Sequence, residues 1–248
     1  MIITVANQKG GVGKTDMTVN LAASLSAMGK KVLLIDMDPQ ANATKYVLGT
    51  DPKLTSSDLL LREDLELSRV ATATGVPNLS VVAANTNLNA AQIEMISDPG
   101  MQFKLKRKLG KHGYDFVLID TPPSLGMLTI NALTASDAVL VPVQVHYFAI
   151  DGVDKLVNTI EMLKKDINPG LEVLGYVMTM HDKRNSLTKE IEKIVKQKFG
   201  KDVFNTSIPV NVDLAAAPNS HLPITLYSKE SRGAHAYSRL AKEFLRKR

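Results

Sequence analysis

Lys9-Gly10-Gly11-Val12-Gly13-Lys14-Thr15 is the stretch from which the rest of the chain can be read. It follows the apolar run Ile2-Ile3-Thr4-Val5-Ala6 and precedes Met17-Thr18-Val19-Asn20-Leu21-Ala22-Ala23-Ser24-Leu25. A strand therefore feeds a glycine loop that opens a helix, the context in which a backbone cradles phosphate. Gly10, Gly11 and Gly13 are expected to turn with φ > 0 and to let the backbone approach a phosphate with no Cβ in the way. The N–H groups of Gly11, Val12, Gly13, Lys14 and Thr15 then converge at a helix N-terminus, where the dipole also favours an anion. Lys14 is expected to reach the β- and γ-phosphates of a nucleotide, and the Thr15 hydroxyl to hold Mg²⁺.

Two further strands end in acids. Val32-Leu33-Leu34-Ile35 is a continuous apolar run that predicts a buried parallel strand, and it leads into Asp36-Met37-Asp38-Pro39-Gln40. Tyr114-Asp115-Phe116-Val117-Leu118-Ile119-Asp120 repeats the pattern before Thr121-Pro122-Pro123. Ligands of open α/β sheets gather at the carboxyl ends of strands, so these carboxylates should face the phosphates. Asp120 is placed to bind Mg²⁺ directly or through water. For Asp36 and Asp38 the competing reading is that they cap the next helix.

Strands and helices alternate along the rest of the chain. Helices are predicted over residues 14–28, 85–96, 101–109, 151–167, 187–199 and 235–248, and strands over 79–83, 138–143 and 171–180. This is the pattern of a doubly wound, mostly parallel sheet with helices on both faces, a P-loop NTPase fold, in one domain over residues 1–248. The chain has no cysteine, which fits a reducing, cytoplasmic setting and excludes disulfides and cysteine-bound clusters. No apolar run is long enough to span a membrane. A net charge of +5 permits attraction to nucleic acid or anionic lipid.

Lys9 sits where the ordinary phosphate loop has no lysine, and Gln8 stands where that loop has glycine. Lys-Gly-Gly-Val-Gly-Lys-Thr thus resembles the deviant Walker A motif of the ParA/MinD ATPases. Asp-Met-Asp-Pro-Gln followed by Asn42-Ala43-Thr44 resembles the switch segment of the ParA/Soj branch, and the likeness extends to Ser231-Arg232-Gly233-Ala234-His235-Ala236-Tyr237. The nitrogenase iron protein shares the extra lysine but needs cysteines that this chain lacks. The resemblance implies a homodimer with ATP and Mg²⁺ sandwiched between subunits, Lys9 crossing to the partner's phosphates. It implies that Asp38 positions the attacking water, that Asp36 supports Mg²⁺ and the loop, and that Met180, Pro209 and Asn211 border the adenine ring. It also implies slow ATP hydrolysis stimulated by a ParB-like protein, non-specific DNA binding, and segregation or positioning of a chromosome, plasmid or other large cargo.

A MinD-like membrane switch and a metabolic ATP-dependent ligase are the alternatives. The Asp-Pro-Gln segment argues against the first, and the last helix has few bulky apolar residues for an anchor. No second substrate site is readable for the other.

Two departures carry expectations. Asp16 replaces the family's usual Thr, close to the α-phosphate, and repulsion should weaken nucleotide binding unless Asp16 turns outward to a basic group. Val210 and Asp213 occupy positions that are basic in many relatives. DNA binding is then either lost or moved to the stripe Lys189, Lys193 and Lys196, flanked by Lys183 and Arg184, with Arg232 and the end Arg246-Lys247-Arg248. The run Lys104, Lys106, Arg107 and Lys108 reads more simply as a solvated face.

Overall fold

In the computed structural model, which describes residues 1–146, 151–182 and 184–247, seven strands form one sheet. They are β1 (Ile2–Val5), β2 (Val32–Asp36), β3 (Thr72–Ala73), β4 (Leu79–Val82), β5 (Phe116–Asp120), β6 (Ala138–Gln144) and β7 (Glu172–Thr179). Their order is β3-β4-β2-β5-β1-β6-β7, parallel throughout except for the short β3 against β4. Lys183 and Arg248, read above as parts of basic segments, lie outside the described residues.

The helices are α1 (Lys14–Ala27), α2 (Asn42–Val47), α3 (Ser56–Leu61), α4 (Leu67–Val70), α5 (Asn87–Met95), α6 (Lys104–Lys108) and α7 (Met127–Ala135). After these come α8 (Asp151–Asp166), α9 (Ser186–Phe199), α10 (Val212–Ala216), α11 (Ile224–Tyr227) and α12 (Arg232–Lys247). The central strands are apolar on both sides because helices cover both faces. On β5, Phe116 and Leu118 point to the layer of α1 and α12, with Leu21, Leu25, Tyr237, Leu240 and Phe244. Val117 and Ile119 point to the other layer, with Leu59, Leu60, Leu88, Leu105 and Leu128. The period of two along the strand thus divides one apolar run between two cores.

The last helix begins at Arg232, three residues before the sequence expectation. Ser231 sets that start: its hydroxyl accepts the Ala234 N–H at 3.1 Å, as an N-cap does. The helix buries Tyr237, Leu240 and Phe244, and the Phe244 ring meets Phe116 edge to face at 5.4 Å. Helices α4, α7, α10 and α11 and strand β3 escaped the sequence reading. In the 101–109 segment the first turn is 3-10, and only residues 104–108 are α-helical. Its basic run is no uniform solvated face. Lys104 is buried and pairs with Asp98 at 2.5 Å, while the Lys108 ammonium donates to the carbonyls of Arg62, Glu63 and Leu65.

Both edges of the sheet are finished. β3 covers one with two antiparallel residues. Along the other, the Phe204 N–H donates to the Tyr176 carbonyl and the Ile208 N–H to the Met178 carbonyl, each at 2.8 Å. Single bridges join Tyr176 to Val203 and His181 to Pro209.

Phe244→Ala removes a fully buried ring and should cost about 3–5 kcal/mol of stability. Urea unfolding followed by circular dichroism measures this, and a loss below about 1 kcal/mol would show that α12 is not docked as described.

Candidate functional site

The glycine loop between β1 and α1 is held from three directions. Asn7 Nδ2 donates to the Pro142 carbonyl at 2.7 Å, and Asn7 Oδ1 accepts the Lys9 N–H at 3.0 Å. The Thr179 hydroxyl donates to the Val12 carbonyl at 2.8 Å. Gly11 and Gly13 have φ of 72° and 85°, values that favour glycine, and Gly13 is the N-cap of α1. Gly10 departs from expectation: its φ is not positive, and an added Cβ would lie 3.8 Å from Pro123, an ordinary contact. Lys14 is buried, and its ammonium donates to the Lys9 carbonyl at 3.2 Å. Burial draws its pKa down, against the charges of Asp120 and Asp38.

The strand-tip acids come together beneath this loop. Asp36 and Asp120 are direct register partners on β2 and β5, and Asp120 is the partner of Val5 on β1. Asp120 is fully buried; Oδ2 accepts the Thr15 hydroxyl at 2.8 Å and Oδ1 the Thr18 hydroxyl at 3.2 Å. Asp36 is equally buried. Its Oδ1 accepts the Asp38 N–H at 3.0 Å, and its Oδ2 accepts the Thr44 N–H at 2.8 Å and the Thr44 hydroxyl at 2.7 Å. Since Thr44 is the third residue of α2, the helix-capping reading holds for Asp36. Asp38 accepts the Gln40 N–H at 2.9 Å.

Burial pushes the carboxyls of Asp36 and Asp120 above the usual range, and the Asp36 charge adds to the rise at Asp120. Crowded acids of this kind favour a cation among them. Among the described residues no three His, Cys, Asp or Glu side chains form a metal cage. Mg²⁺ needs none, since it is held by one or two protein oxygens together with phosphates and water. Thr15 Oγ1 and Asp120 fit that requirement.

Thr179, at the end of β7, brings a second group to the loop. Met180 follows it with φ of 52°, and His181 bridges to Pro209. Asn211 Oδ1 accepts the Leu214 N–H at 3.1 Å and caps α10. Met180 thus follows the residue that binds the Val12 carbonyl, and Pro209 lies beside His181, while the Asn211 side chain is engaged with α10.

Asp16 does not turn outward to a basic group. Among the described residues its carboxyl has no hydrogen bond or ion pair. It borders a cavity of about 600 Å³ lined also by Thr15, Asn42, Lys45, Tyr46 and His221. Burial raises the hydroxyl pKa values of Tyr46 and Tyr237, and the Asp16 charge adds to the rise. Burial pushes the Asp16 carboxyl itself up to about 6.

The basic stripe on α9 is less regular than its spacing. Lys189 and Lys193 are exposed, but Lys196 pairs with Glu192 at 2.7 Å, and Glu192 also meets His181 Nε2 at 2.9 Å. Arg184 pairs with Asp182. Arg232 is exposed at the start of α12. Val210 is 56% exposed, and Asp213 accepts a hydrogen bond from Asn211 Nδ2 at 3.3 Å.

Sequence reasoning passed over Asn7, Thr18, Thr44 and Thr179 as site residues. Thr18 had a signal, being one helical turn beyond Lys14 on the face that Thr15 begins. Thr179 had none, because its link to the loop is purely tertiary.

A family model described as an AAA domain matches residues 1–173. The chain is 45% identical over 246 residues to the sporulation initiation inhibitor protein Soj of Bacillus subtilis, covering 98% of this chain and 97% of that one. It is 40% identical over 249 residues to the chromosome partitioning protein ParA of Caulobacter vibrioides, covering 98% and 93%. A solved cobyrinic acid a,c-diamide synthase from Mycobacterium smegmatis, with bound ADP and magnesium, superposes with a TM-score of 0.86 at 33% identity, covering 99% and 94%.

Asp16 has a measurable consequence. Its carboxyl holds a proton more tightly folded, at a pKa of about 6, than at the ordinary 3.8 of an unfolded chain. Ionising it therefore costs stability, fully above pH 6 and not at all below pH 4. Asp16→Asn should stabilise the nucleotide-free protein by up to about 3 kcal/mol at pH 7.5, with the gain fading as pH falls through that window. Thermal melts at stepped pH check this; a gain that did not vary with pH would contradict it.

Proposed function

Because the chain belongs to the ParA/Soj family of partition ATPases, we propose that it is an ATP-driven switch that segregates or positions a large cargo. Its cofactors are ATP and Mg²⁺, and the reaction is hydrolysis of ATP to ADP and phosphate. The observation that carries the reading is the arrangement of Thr15, Thr18 and Asp120 directly under a loop across which the buried Lys14 ammonium reaches the Lys9 carbonyl.

In this reading the N–H groups of residues 11–15 and the α1 dipole bind the phosphates. Lys14 leaves the Lys9 carbonyl to meet the β- and γ-phosphates. Thr15 and Asp120 hold Mg²⁺, which neutralises developing charge on the phosphates when bound. Asp36 fixes the segment from Asp38 to Thr44, so that Asp38 can orient the attacking water. Met180, Pro209 and Asn211 border the base. Lys9 extends to the nucleotide of a second subunit and makes the dimer depend on ATP.

The finer parts of the proposal are non-specific DNA as the track, a ParB-like activator and a nucleoid location. The exposed Lys189, Lys193 and Arg232 support the first, while the Lys196–Glu192 pair weakens it. An anchor built from α12 is disfavoured, because its apolar side chains are spent on the core. No helix among the described residues is long and apolar enough to cross a membrane.

Lys9→Ala should bind nucleotide as a monomer yet fail to dimerise with a non-hydrolysable ATP analogue. Asp38→Ala should dimerise with ATP and turn over about 10²–10⁴-fold more slowly. Light scattering and phosphate release measure both; a normal dimer of the first, or turnover of the second within threefold of wild type, would sink the assignments.

For DNA, a Lys189→Glu/Lys193→Glu/Lys196→Glu protein should lose ATP-dependent binding and its salt dependence, each phosphate contact being worth about 0.9 in log–log slope. Gel shifts across a salt series decide. Equal binding by mutant and wild type would rule out α9, and no binding by wild type would rule out DNA.

A further inference from the structure

We propose that Gly152 is a positioning residue for Lys9: the first turn of α8 forms a stop against the Lys9 backbone, and only a residue without a Cβ leaves Lys9 in its place. A Cβ on Gly152 would lie 3.3 Å from Lys9 Cβ, 3.4 Å from Lys9 N and 3.0 Å from Asn7 Oδ1. Carbon atoms meet without strain at about 3.5–4.0 Å, so one of these partners has to move. Asn7 Oδ1 is the atom that accepts the Lys9 N–H at 3.0 Å. The start of α8 thus touches both ends of the hydrogen bond that seats Lys9.

Neither the helix nor Asn7 yields freely. Val153 follows Gly152 and is fully buried, and with Leu156 and Ile160 it fixes α8 in the core that Val139, Val141 and Val143 of β6 share. Asn7 is 3% exposed, and its Nδ2 is bound to the Pro142 carbonyl at 2.7 Å, so its amide is anchored to β6 as well. Close-packed groups of this kind pass a displacement on rather than absorb it. The part free to move is Lys9, half-buried in the loop. Local preference runs the other way: glycine is less favourable than alanine inside a helix, so Gly152 answers a tertiary contact and not the helix it belongs to. Gly170 shows the contrast, since a Cβ there would meet nothing within 4 Å.

The contact bears on Lys9 and not on the rest of the loop. Val12 is held separately by the Thr179 hydroxyl, and Thr15 by Asp120. The Lys9 carbonyl takes the Lys14 ammonium only until a nucleotide draws Lys14 away, so displacing Lys9 leaves phosphate binding by one subunit intact. What suffers is the reach of Lys9 toward a second subunit. That consequence rests on the switch reading; the seat of Lys9 rests on the contacts alone.

Amide hydrogen exchange on the nucleotide-free full chain tests the seat. In Gly152→Ala the Lys9 amide should exchange about tenfold faster or more, while the amides of Leu156 and Ile160 keep their wild-type rates. An unchanged Lys9 amide overturns the proposal. So does faster exchange along α8, which would make the effect one of helix stability. Light scattering with a non-hydrolysable ATP analogue tests the consequence. Gly152→Ala should need about tenfold more protein to dimerise, with nucleotide affinity of the monomer within about threefold of wild type. Gly170→Ala should match wild type in both, and an equal loss there overturns the proposal. A normal dimer in Gly152→Ala, beside a Lys9→Ala protein that fails to dimerise, overturns the positioning role and leaves the switch reading standing. A normal dimer in Lys9→Ala strikes the switch reading instead, and the exchange rate of the Lys9 amide then decides the seat by itself.

Discussion

The hydrogen bond from Thr15 to Asp120 joins the two halves of the site, and most of the local architecture serves to hold it. Asp120 is at the tip of β5 and Thr15 in the first turn of α1; the two are 105 residues apart in sequence. The register that pairs Asp120 with both Val5 and Asp36 sets the carboxylate under the loop. An ionised carboxylate removed from water costs several kcal/mol unless it is paired and hydrogen-bonded. Two threonine hydroxyls and the nearby Lys14 charge offset part of that cost, and the elevated pKa shows that they do not offset all of it. What is left over is a standing demand for positive charge, which a divalent cation beside Asp120 would answer.

The same local economy explains how much of this could be read from the sequence. The phosphate loop, its strand and its helix were legible because each is a short, contiguous pattern with one physical meaning. The strand-tip acids were legible because unbroken apolar runs stop at them. Thr44 and Thr179 act across folds of the chain, on Asp36 and on the Val12 carbonyl, and nothing in their own neighbourhoods announces it. Helix α7 went unread because Met127-Leu128-Thr129-Ile130 follows a proline- and glycine-rich loop and shows no amphipathic contrast; most of it is buried all round. Gly10 taught the opposite lesson. A glycine inside a motif does not by itself imply a left-handed backbone.

The basic stripe on α9 shows where periodicity misleads. Spacing put three lysines on one face, but it could not show that Glu192 would turn toward one of them and toward His181 at once. That pairing does something else. His181 is the neighbour of Met180 and the bridge partner of Pro209, so Glu192 fastens α9 to the segment assigned to the base. The helix and the base-side segment are tied by a side chain, whatever track the lysines meet.

The finished edges of the sheet restrict how copies of this chain can meet. A bare strand edge offers a row of unpaired N–H and C=O groups, a template for joining sheets end to end. Here the segment from Val203 to Pro209 occupies the edge of β7, and two antiparallel residues shorten the other side. Growth by strand addition, the route to open-ended fibres, is closed at β7 and meets only a two-residue stub at β3. In the ATP-switch reading proposed above, association falls instead to the loop-bearing ends of the strands, and an assembly made there would last only as long as the ligand between its halves.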